Sequence, residues 1–209
     1  MLGDLSARYE SNGDPGCVSD GYGDPGGKSY GAYQFSSNAG SLQQFCNWLT
    51  YNYPQYAEQL TAYPLCSVSF DEAWKNIATN DYDGFLGAQY EYTKEIYYDR
   101  ACEVLAESGW HIEKHAEIMQ DVVWSRAVQY GVGNIIDMWT DAVHSMYNVE
   151  DGTYVGYPNL TYVDSAEFDY DFIVAIYNVC KSEEWNHSAL RDSLNNRFDQ
   201  EMHDALARL

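Results

Sequence analysis

Apolar residues recur at helical spacing along most of the chain. Leu42, Phe45, Cys46 and Leu49 fall at positions i, i+3, i+4 and i+7, which is the pattern of an amphipathic helix with one buried face. The same spacing predicts further helices over residues 2–10, 54–63, 69–78, 83–108, 112–130, 135–146, 164–180 and 190–206. The chain is therefore predicted to be mainly helical.

Short motifs indicate where several helices begin. Ser41 with Gln44, and Ser69 with Glu72, match the capping-box pattern that satisfies free backbone N–H groups. Asp83 is expected to cap a long helix. The apolar face of that helix is expected to comprise Leu86, Tyr90, Thr93, Tyr97, Ala101 and Val104.

Two stretches interrupt the helical pattern. Residues 10–34 hold seven of the sixteen glycines and two of the five prolines, so this stretch is predicted to be turn-rich. Residues 148–164 alternate Tyr and Val among Gly, Pro and Asn, which is typical of a loop or a small hairpin. No repeat or linker divides the chain, so we expect one domain over residues 1–209.

The composition is acidic, with 32 Asp and Glu against 11 Lys and Arg, and a net charge of −21 at pH 7. This charge repels a phosphate backbone and an anionic membrane surface, so we expect no nucleic-acid partner. A cationic polymer would be attracted.

The sequence shows neither a membrane span nor a secretory signal. Nowhere do about 18 apolar residues run together, and no cationic segment precedes an apolar stretch at the N-terminus. The five cysteines are widely spaced and odd in number, which argues against a disulfide framework. We expect synthesis in the cytoplasm, no membrane insertion and mostly buried thiols.

Glu10 and Asp24 are the candidate catalytic residues. Glu10 is expected at the end of the first helix, where the helix dipole and burial raise the pKa of a carboxyl group and suit it to act as a general acid. Asp24 stands on a different element, among Gly and Pro. Two carboxyl groups across a cleft, one protonated and one ionised, can hydrolyse a glycosidic bond.

The runs Ala-Arg-Tyr-Glu-Ser (7–11) and Gly-Asp-Pro-Gly-Gly-Lys-Ser-Tyr-Gly-Ala-Tyr-Gln (23–34) resemble the lysozyme-like muramidase domain of VgrG-type secretion spike effectors and phage lysins. That domain is itself similar to the chitosanases. The resemblance implies an α+β lysozyme-like fold, a helical body with a small hairpin or loop layer after the first helix. It also implies that Glu10 is the acid, that Asp24 is its partner and that no cofactor is needed.

Several polar and aromatic residues are candidates for substrate binding, because aromatic faces stack on sugar rings and amides bridge sugar hydroxyls. They are Tyr30, Tyr33, Gln34, Gln89, Ser125 and Gln129. Tyr33 also suits a core position. Ser125 and Gln129, one turn apart, either line a cleft or satisfy buried backbone groups.

Asp14 and Asp20 rival Asp24, since both stand near glycines in turn-forming sequence. Only Asp24 precedes the Gly-Gly-Lys-Ser-Tyr-Gly run on which the resemblance rests. His111 and His115 are spaced like zinc ligands, but a zinc protease needs Glu directly after the first His. No metal site is expected.

The sequence predicts a peptidoglycan hydrolase that cleaves β-1,4 bonds of the bacterial cell-wall glycan. Two alternatives stay open: a chitosanase acting on a cationic glucosamine polymer, and a non-catalytic member that binds glycan or a partner protein. Since the sequence shows no signal, we expect delivery to the cell wall by a phage particle or a secretion spike.

Overall fold

Helices form most of the structure. The computed structural model describes residues 2–3, 13–22, 26–146, 156–187 and 191–209. Within these ranges the chain forms helices and one two-stranded sheet, which confirms the predicted fold class. The chain divides into an N-terminal unit, Ala7–Glu95, and a C-terminal unit, Met1–Ser6 with Ile96–Leu209. That the two serve as a single domain stays a prediction.

The described part of the N-terminal unit contains helices and a hairpin. The helices are α1 (Ser41–Asn52), α2 (Pro54–Thr61), α3 (Val68–Asn80) and α4 (Tyr82–Thr93). Strands β1 (Ser29–Tyr30) and β2 (Phe35–Ser36) are antiparallel, with Ser29 opposite Ser36 and Tyr30 opposite Phe35. The small hairpin therefore lies at the end of the predicted turn-rich stretch.

An aromatic core joins this hairpin to the helices. Phe35 of β2 stacks on Phe45 of α1 with ring centroids 4.6 Å apart, and Trp74 of α3 meets Phe85 of α4 edge to face at 4.8 Å. Each of these side chains is at most 2% exposed. Since a large aromatic side chain buries about 150–250 Å², these contacts fix β2 against the helical layer.

Helix α1 begins without the predicted capping box. Its N-cap is Gly40, and no side chain caps it. The Ser41 hydroxyl instead accepts a hydrogen bond from the N–H of Ser36 at 2.8 Å. The prediction at Ser41 is wrong because this hydroxyl ties the helix to the hairpin.

Helices α3 and α4 are capped two residues earlier than predicted. The cap of α3 is Ser67 rather than Ser69, and the cap of α4 is Asp81 rather than Asp83. Asp81 also accepts a hydrogen bond from the Tyr56 hydroxyl of α2 at 2.6 Å. That tertiary contact favours Asp81 and cannot be read from local sequence.

A π-helical segment interrupts the long helix predicted from Asp83. Helix α4 ends at Thr93, the π turns cover Lys94–Asp99, and α5 (Arg100–Glu107) follows. The buried residues are Phe85, Ala88, Gln89, Tyr92, Thr93, Tyr98, Ala101 and Leu105. The predicted face is therefore wrong except at Thr93 and Ala101. Neighbouring tyrosines make adjacent faces equally apolar, and π turns change the spacing.

The described part of the C-terminal unit contains α5 and four further helices. These are α6 (Glu117–Tyr130), α7 (Ile135–Ser145), α8 (Asp169–Lys181) and α9 (Arg191–Leu206). Short 3₁₀ turns cover Ile112–Lys114, Val132–Asn134, Leu160–Val163 and Ala166–Phe168. Every residue from Asp121 to Ala127 of α6 is buried, so the prediction that this helix is buried on most sides is confirmed.

Asp169 explains why α6 begins later than Ile112, where the periodicity placed it. Its carboxylate accepts a hydrogen bond from the N–H of Ala116 at 2.7 Å and lies 2.6 Å from Nδ1 of His115. His115 is held in an extended conformation. The extended backbone at His115 interrupts the helical pattern, and α6 begins after it.

Asp164 does not open a helix as predicted. Its carboxylate accepts a hydrogen bond from the N–H of His111 at 2.6 Å, and α8 begins at Asp169. Of the loop or hairpin predicted at 148–164, the described part, 156–164, contains a 3₁₀ turn and no strand. Residues 148–155 lie outside the described residues.

A buried ion pair joins α6 and α9. The Arg126 guanidinium donates to the Glu201 carboxylate, and neither side chain has exposed surface. Arg197 donates to the other Glu201 oxygen at 2.6 Å. Burial opposes the charge of Arg126, but the Glu201 carboxylate raises the pKa of Arg126 above its ordinary value. Arg126 therefore stays charged inside the unit.

All five cysteines belong to the described part of the chain and are free thiols. Cys46 and Cys180 are buried, and the other three are half-buried. Burial raises the pKa of the Cys46 thiol to about 12, so this thiol is protonated at neutral pH. Among the described helices none is long and apolar enough to cross a membrane.

Candidate active site

The predicted catalytic carboxylates, Glu10 and Asp24, lie outside the described residues. The chain on either side of Asp24 is described over 13–22 and 26–36. The contacts of these two segments define how the stretch that contains Asp24 is held.

The segments before and after Asp24 run side by side. Val18 forms an antiparallel bridge with Tyr30. Nearer to Asp24, a Cβ atom on Gly21 would lie 2.7 Å from the carbonyl carbon of Gly27. The two backbones can approach this closely because Gly21 has no side chain, so the ends of the intervening segment are held together.

Two buried side chains bind the start of the stretch to the helices. The Trp74 indole N–H of α3 donates to the Pro15 carbonyl at 2.8 Å, and the Gln89 amide of α4 donates to the same oxygen at 3.0 Å. The Gln89 side-chain oxygen accepts the N–H of Ala32 at 2.9 Å. Gln89 thus connects the residues before Asp24 to those after it.

Gly31 is required by this contact. It has a φ of +74°, and a Cβ atom there would lie 2.3 Å from the Gln89 side-chain oxygen. No L side chain fits at that distance, and the left-handed conformation disfavours one as well. The Gly31-Ala32 turn and Gln89 are therefore matched in shape.

Asp71 of α3 anchors β1. One carboxylate oxygen accepts a hydrogen bond from the Tyr30 hydroxyl at 2.5 Å, and the other pairs with the Lys28 ammonium at 2.5 Å. Burial, together with the bond to Asp71, raises the pKa of Tyr30 far above its ordinary value. The phenol therefore stays a hydrogen-bond donor, and β1 is fixed to α3.

Tyr33 and Gln34 keep exposed surface in the turn between the strands. Gln34 has a φ of +53°, which is uncommon for a residue other than glycine. Its amide donates to the Gly31 carbonyl at 2.9 Å. Strained residues of this kind cluster at ligand sites, and Tyr33 and Gln34 stay candidates for substrate contact.

Asp14 and Asp20, the rivals of Asp24, both close turns. Asp14 accepts a hydrogen bond from the N–H of Gly16 at 2.9 Å, and Asp20 accepts one from the N–H of Tyr22 at 3.0 Å. These Asx turns are the ordinary structural use of aspartate beside glycine.

Ser125 and Gln129 lie on α6, in the C-terminal unit. Ser125 is fully buried, and its hydroxyl lies 2.8 Å from Arg126 and 3.1 Å from Glu201. Gln129 is half-buried, and its side-chain oxygen has no hydrogen-bond partner within the described ranges. Of the two, only Gln129 keeps exposed surface, although its side-chain oxygen is itself buried.

Three predicted substrate-binding residues need a correction. Tyr30, Gln89 and Ser125 each have no exposed surface, and their polar atoms bind other protein groups. A side chain without exposed surface cannot stack on a sugar. Tyr30 and Gln89 instead position the turn-rich stretch, and Ser125 belongs to the buried Arg126–Glu201 pair.

Sequence reasoning missed Asp71, Lys28 and Trp74 as residues that hold this stretch. Lys28 gave a signal, because it is a cation within an otherwise small and neutral run. Asp71 gave none, since an acid in the first turn of a helix is ordinary. The described residues contain no group of three or more His, Cys, Asp or Glu able to hold a metal ion.

The fold is similar to that of a solved chitosanase. The chain matches a solved structure described as a chitosanase complex with a TM-score of 0.54 at 15% identity, covering 95% of this chain and 83% of the other. At this identity the match shows the shared fold. It agrees with the mainly helical, lysozyme-like architecture predicted from the sequence.

The family follows from the sequence itself. Residues 2–202 match the family "Type VI secretion system spike protein VgrG3-like, C-terminal", and the chain belongs to it. A curated relative, the type VI secretion system spike protein VgrG3 of Vibrio cholerae serotype O1, is 34% identical over 131 residues. That match covers 62% of this chain but only 12% of the relative's length.

Proposed function

We propose that the chain is a glycoside hydrolase that cleaves β-1,4 bonds of peptidoglycan. Glu10 acts as the general acid, and Asp24 acts as the base or as an electrostatic partner. Protonation of the leaving oxygen by one carboxyl group, with the second left ionised, is sufficient for this reaction without a cofactor.

The observation that carries the proposal is the anchoring of the stretch around Asp24. The hydrogen bonds of three buried side chains, Trp74, Gln89 and Tyr30, join this turn-rich segment to the helices. Such support is what a catalytic group needs in order to be held in a productive geometry. Asp14 and Asp20 use their carboxylates in turns, which favours Asp24 for the catalytic role.

We assign substrate contact to Tyr33, Gln34 and Gln129. Tyr33 supplies an aromatic face, and the amides of Gln34 and Gln129 suit sugar hydroxyls. Because the family match spans residues 2–202, we also propose that both units act as one catalytic domain.

Delivery by a type VI secretion spike accounts for access to the cell wall. The VgrG3 relative is named as a spike protein, and the family is defined by the C-terminal part of such proteins. We therefore favour a secretion spike over a phage particle.

Mass spectrometry of fragments from digested peptidoglycan tests the proposal. We expect fragments cut between the two alternating sugars, with one water added per cut. Anhydro ends would instead indicate a transglycosylase. Intact glycan strands after prolonged digestion would contradict the proposal.

A second candidate is a chitosanase. The net charge of −21 attracts a glucosamine polymer and opposes an anionic cell wall. Reducing-end release from soluble glucosamine oligomers, measured beside release from cell wall, separates the two. Faster turnover of the oligomers would favour this candidate.

A further inference from the structure

A polar cavity lies on the N-terminal unit, on a different face of α3 from the one that anchors β1. Its volume is about 290 Å³. It is formed by the end of α2 and by one side of α3, through Gln59, Ala62, Tyr63, Ser69, Glu72, Ala73 and Asn76. None of these residues contributes to the anchoring described above.

Helix geometry explains the separation of the two faces. Ser69, Glu72 and Asn76 fall at i, i+3 and i+7 and share one side of α3, where they line the cavity. Asp71 and Trp74 point to the turn-rich stretch. One helix thus anchors the turn-rich stretch on one face and lines the cavity on another.

Polar side chains that are free to bind a ligand line this cavity. The side chains of Ser69, Glu72 and Asn76 and the Tyr63 hydroxyl have no hydrogen-bond partner in the part of the chain that the structure describes. Ala62 and Ala73 add small apolar patches to the lining, and Tyr63 is 44% exposed. The lining therefore combines an aromatic ring, small apolar patches, amides, hydroxyls and one carboxylate.

This combination selects one ligand chemistry. No lysine or arginine lines the cavity, so phosphate and uronate groups would meet only the Glu72 carboxylate and be repelled. The polar lining disfavours an acyl chain. A sugar ring has apolar faces for Tyr63 and the alanines, and hydroxyls for Ser69 and Asn76. A nitrogen substituent, as ammonium or acetamide, offers N–H donors to Glu72.

We infer that this cavity binds one hexosamine unit of a glycan strand. Occupation of the cavity would hold a polymer near the enzyme and raise its effective concentration. The site does not depend on hydrolysis, so it can exist whether or not the proposed function is correct.

The test is a titration monitored by amide chemical shifts of the isotope-labelled Glu10→Gln protein. The probes are the tetramer of N-acetylglucosamine and the tetramer of glucosamine. We expect shifts in residues 69–76 with at least one tetramer. Tyr63→Ala is expected to weaken this binding about 3- to 10-fold, as for loss of an aromatic contact, and Ala73→Leu, which places a larger side chain in the lining, to remove it.

Matched controls are Tyr51→Ala, an 88% exposed tyrosine outside the cavity, and Glu58→Gln, an exposed acid on α2. Both should bind as the parent does. If Glu72→Gln weakens the binding of the glucosamine tetramer only, the sugar nitrogen is bound as an ammonium group. If it weakens the binding of both tetramers, the nitrogen is bound as an N–H donor in either form. Absence of shifts at 69–76 with both tetramers, or unchanged binding by Tyr63→Ala and Ala73→Leu, would overturn the inference.

The same titration distinguishes failure of the proposed function from failure of this inference. Shifts at 69–76 without any at 13–22 or 26–36 would leave the cavity intact and count against substrate binding at the predicted catalytic stretch.

Discussion

Substitution of Asp71 by alanine should loosen the stretch around Asp24 without disturbing the helical core. The change leaves the fully buried Tyr30 hydroxyl without its acceptor, which costs about 1–3 kcal/mol. The Lys28 pair is partly exposed, with side chains 27% and 17% accessible, and adds at most about 1 kcal/mol. We expect the free energy of unfolding to fall by about 2–3 kcal/mol.

Thermal melting and turnover on cell wall measure this effect. A loss of this size corresponds to a melting temperature lower by roughly 4–12 °C in a chain of this length. Turnover should fall more than binding, because β1 fixes the residues that follow Asp24. Glu58→Ala, an exposed acid on α2, is the matched control and should change neither.

A double-mutant cycle isolates the contact. Tyr30→Phe removes the hydroxyl, so Asp71→Ala should cost about 1–2 kcal/mol less in that background. Melting of Asp71→Ala within a degree of the wild type, with full turnover, would refute the reasoning.

Three other predictions concern stability. Gly31→Ala should destabilise the protein by more than about 2 kcal/mol, because φ is +74° and Gln89 leaves no space; Gly87→Ala, where a Cβ meets nothing within 4 Å, should be neutral or stabilising. Glu201→Gln should cost about 3–5 kcal/mol in chemical denaturation, since it leaves Arg126 buried and unpaired. Burial opposes ionisation of Asp164, but hydrogen bonds from Lys114 and His111 lower the pKa of Asp164. An acid whose pKa is lowered by folding stabilises the fold at pH values above its unfolded pKa of about 3.9, and this stabilisation is lost as the pH falls through the lower, folded pKa. The melting difference between wild type and Asp164→Asn should therefore shrink below about pH 4.

Each of these has a contradicting result. Equal melting of Gly31→Ala and Gly87→Ala would show that the Gln89 contact does not constrain the turn. Glu103→Gln, in an exposed pair with Arg100, controls for Glu201→Gln, and equal effects of the two would argue against the buried pair. A melting difference that grows in acid would reverse the sign assigned to Asp164.

Helices were predictable because burial of one face imposes a regular spacing. Leu42, Phe45 and Leu49 are all buried on α1, as the spacing required. Helix starts were harder to predict. Asp81 and not Asp83 caps α4, and Asp81 is also held by a hydrogen bond from the Tyr56 hydroxyl. That contact joins residues far apart in sequence.

The buried charges could have been found from position. Glu201 lies on the apolar face of α9 between Phe198 and Ala205, and Arg126 stands in the most buried part of α6. A charge on each of two buried faces indicates a pair. The Ser125 hydroxyl forms hydrogen bonds with both members of this pair. Ser125 therefore satisfies buried polar groups, as one of its two predicted roles required, but these groups are side chains and not backbone.

The support of the predicted site was less accessible to sequence reasoning. Gln89 was predicted to contact substrate, but its two backbone partners, Pro15 and Ala32, lie far away in the chain. Asp71 resembles any acid in a first helical turn. Only the fold brings these side chains to the stretch that contains Asp24.

The most direct test of the account measures reducing-end release from purified cell wall by wild type, Glu10→Gln and Asp24→Asn, each shown to melt cooperatively. We expect Glu10→Gln to lose about 10²–10⁴-fold in rate, as for removal of a general acid, and Asp24→Asn to be strongly impaired as well. Near-normal rates for either folded variant would contradict it.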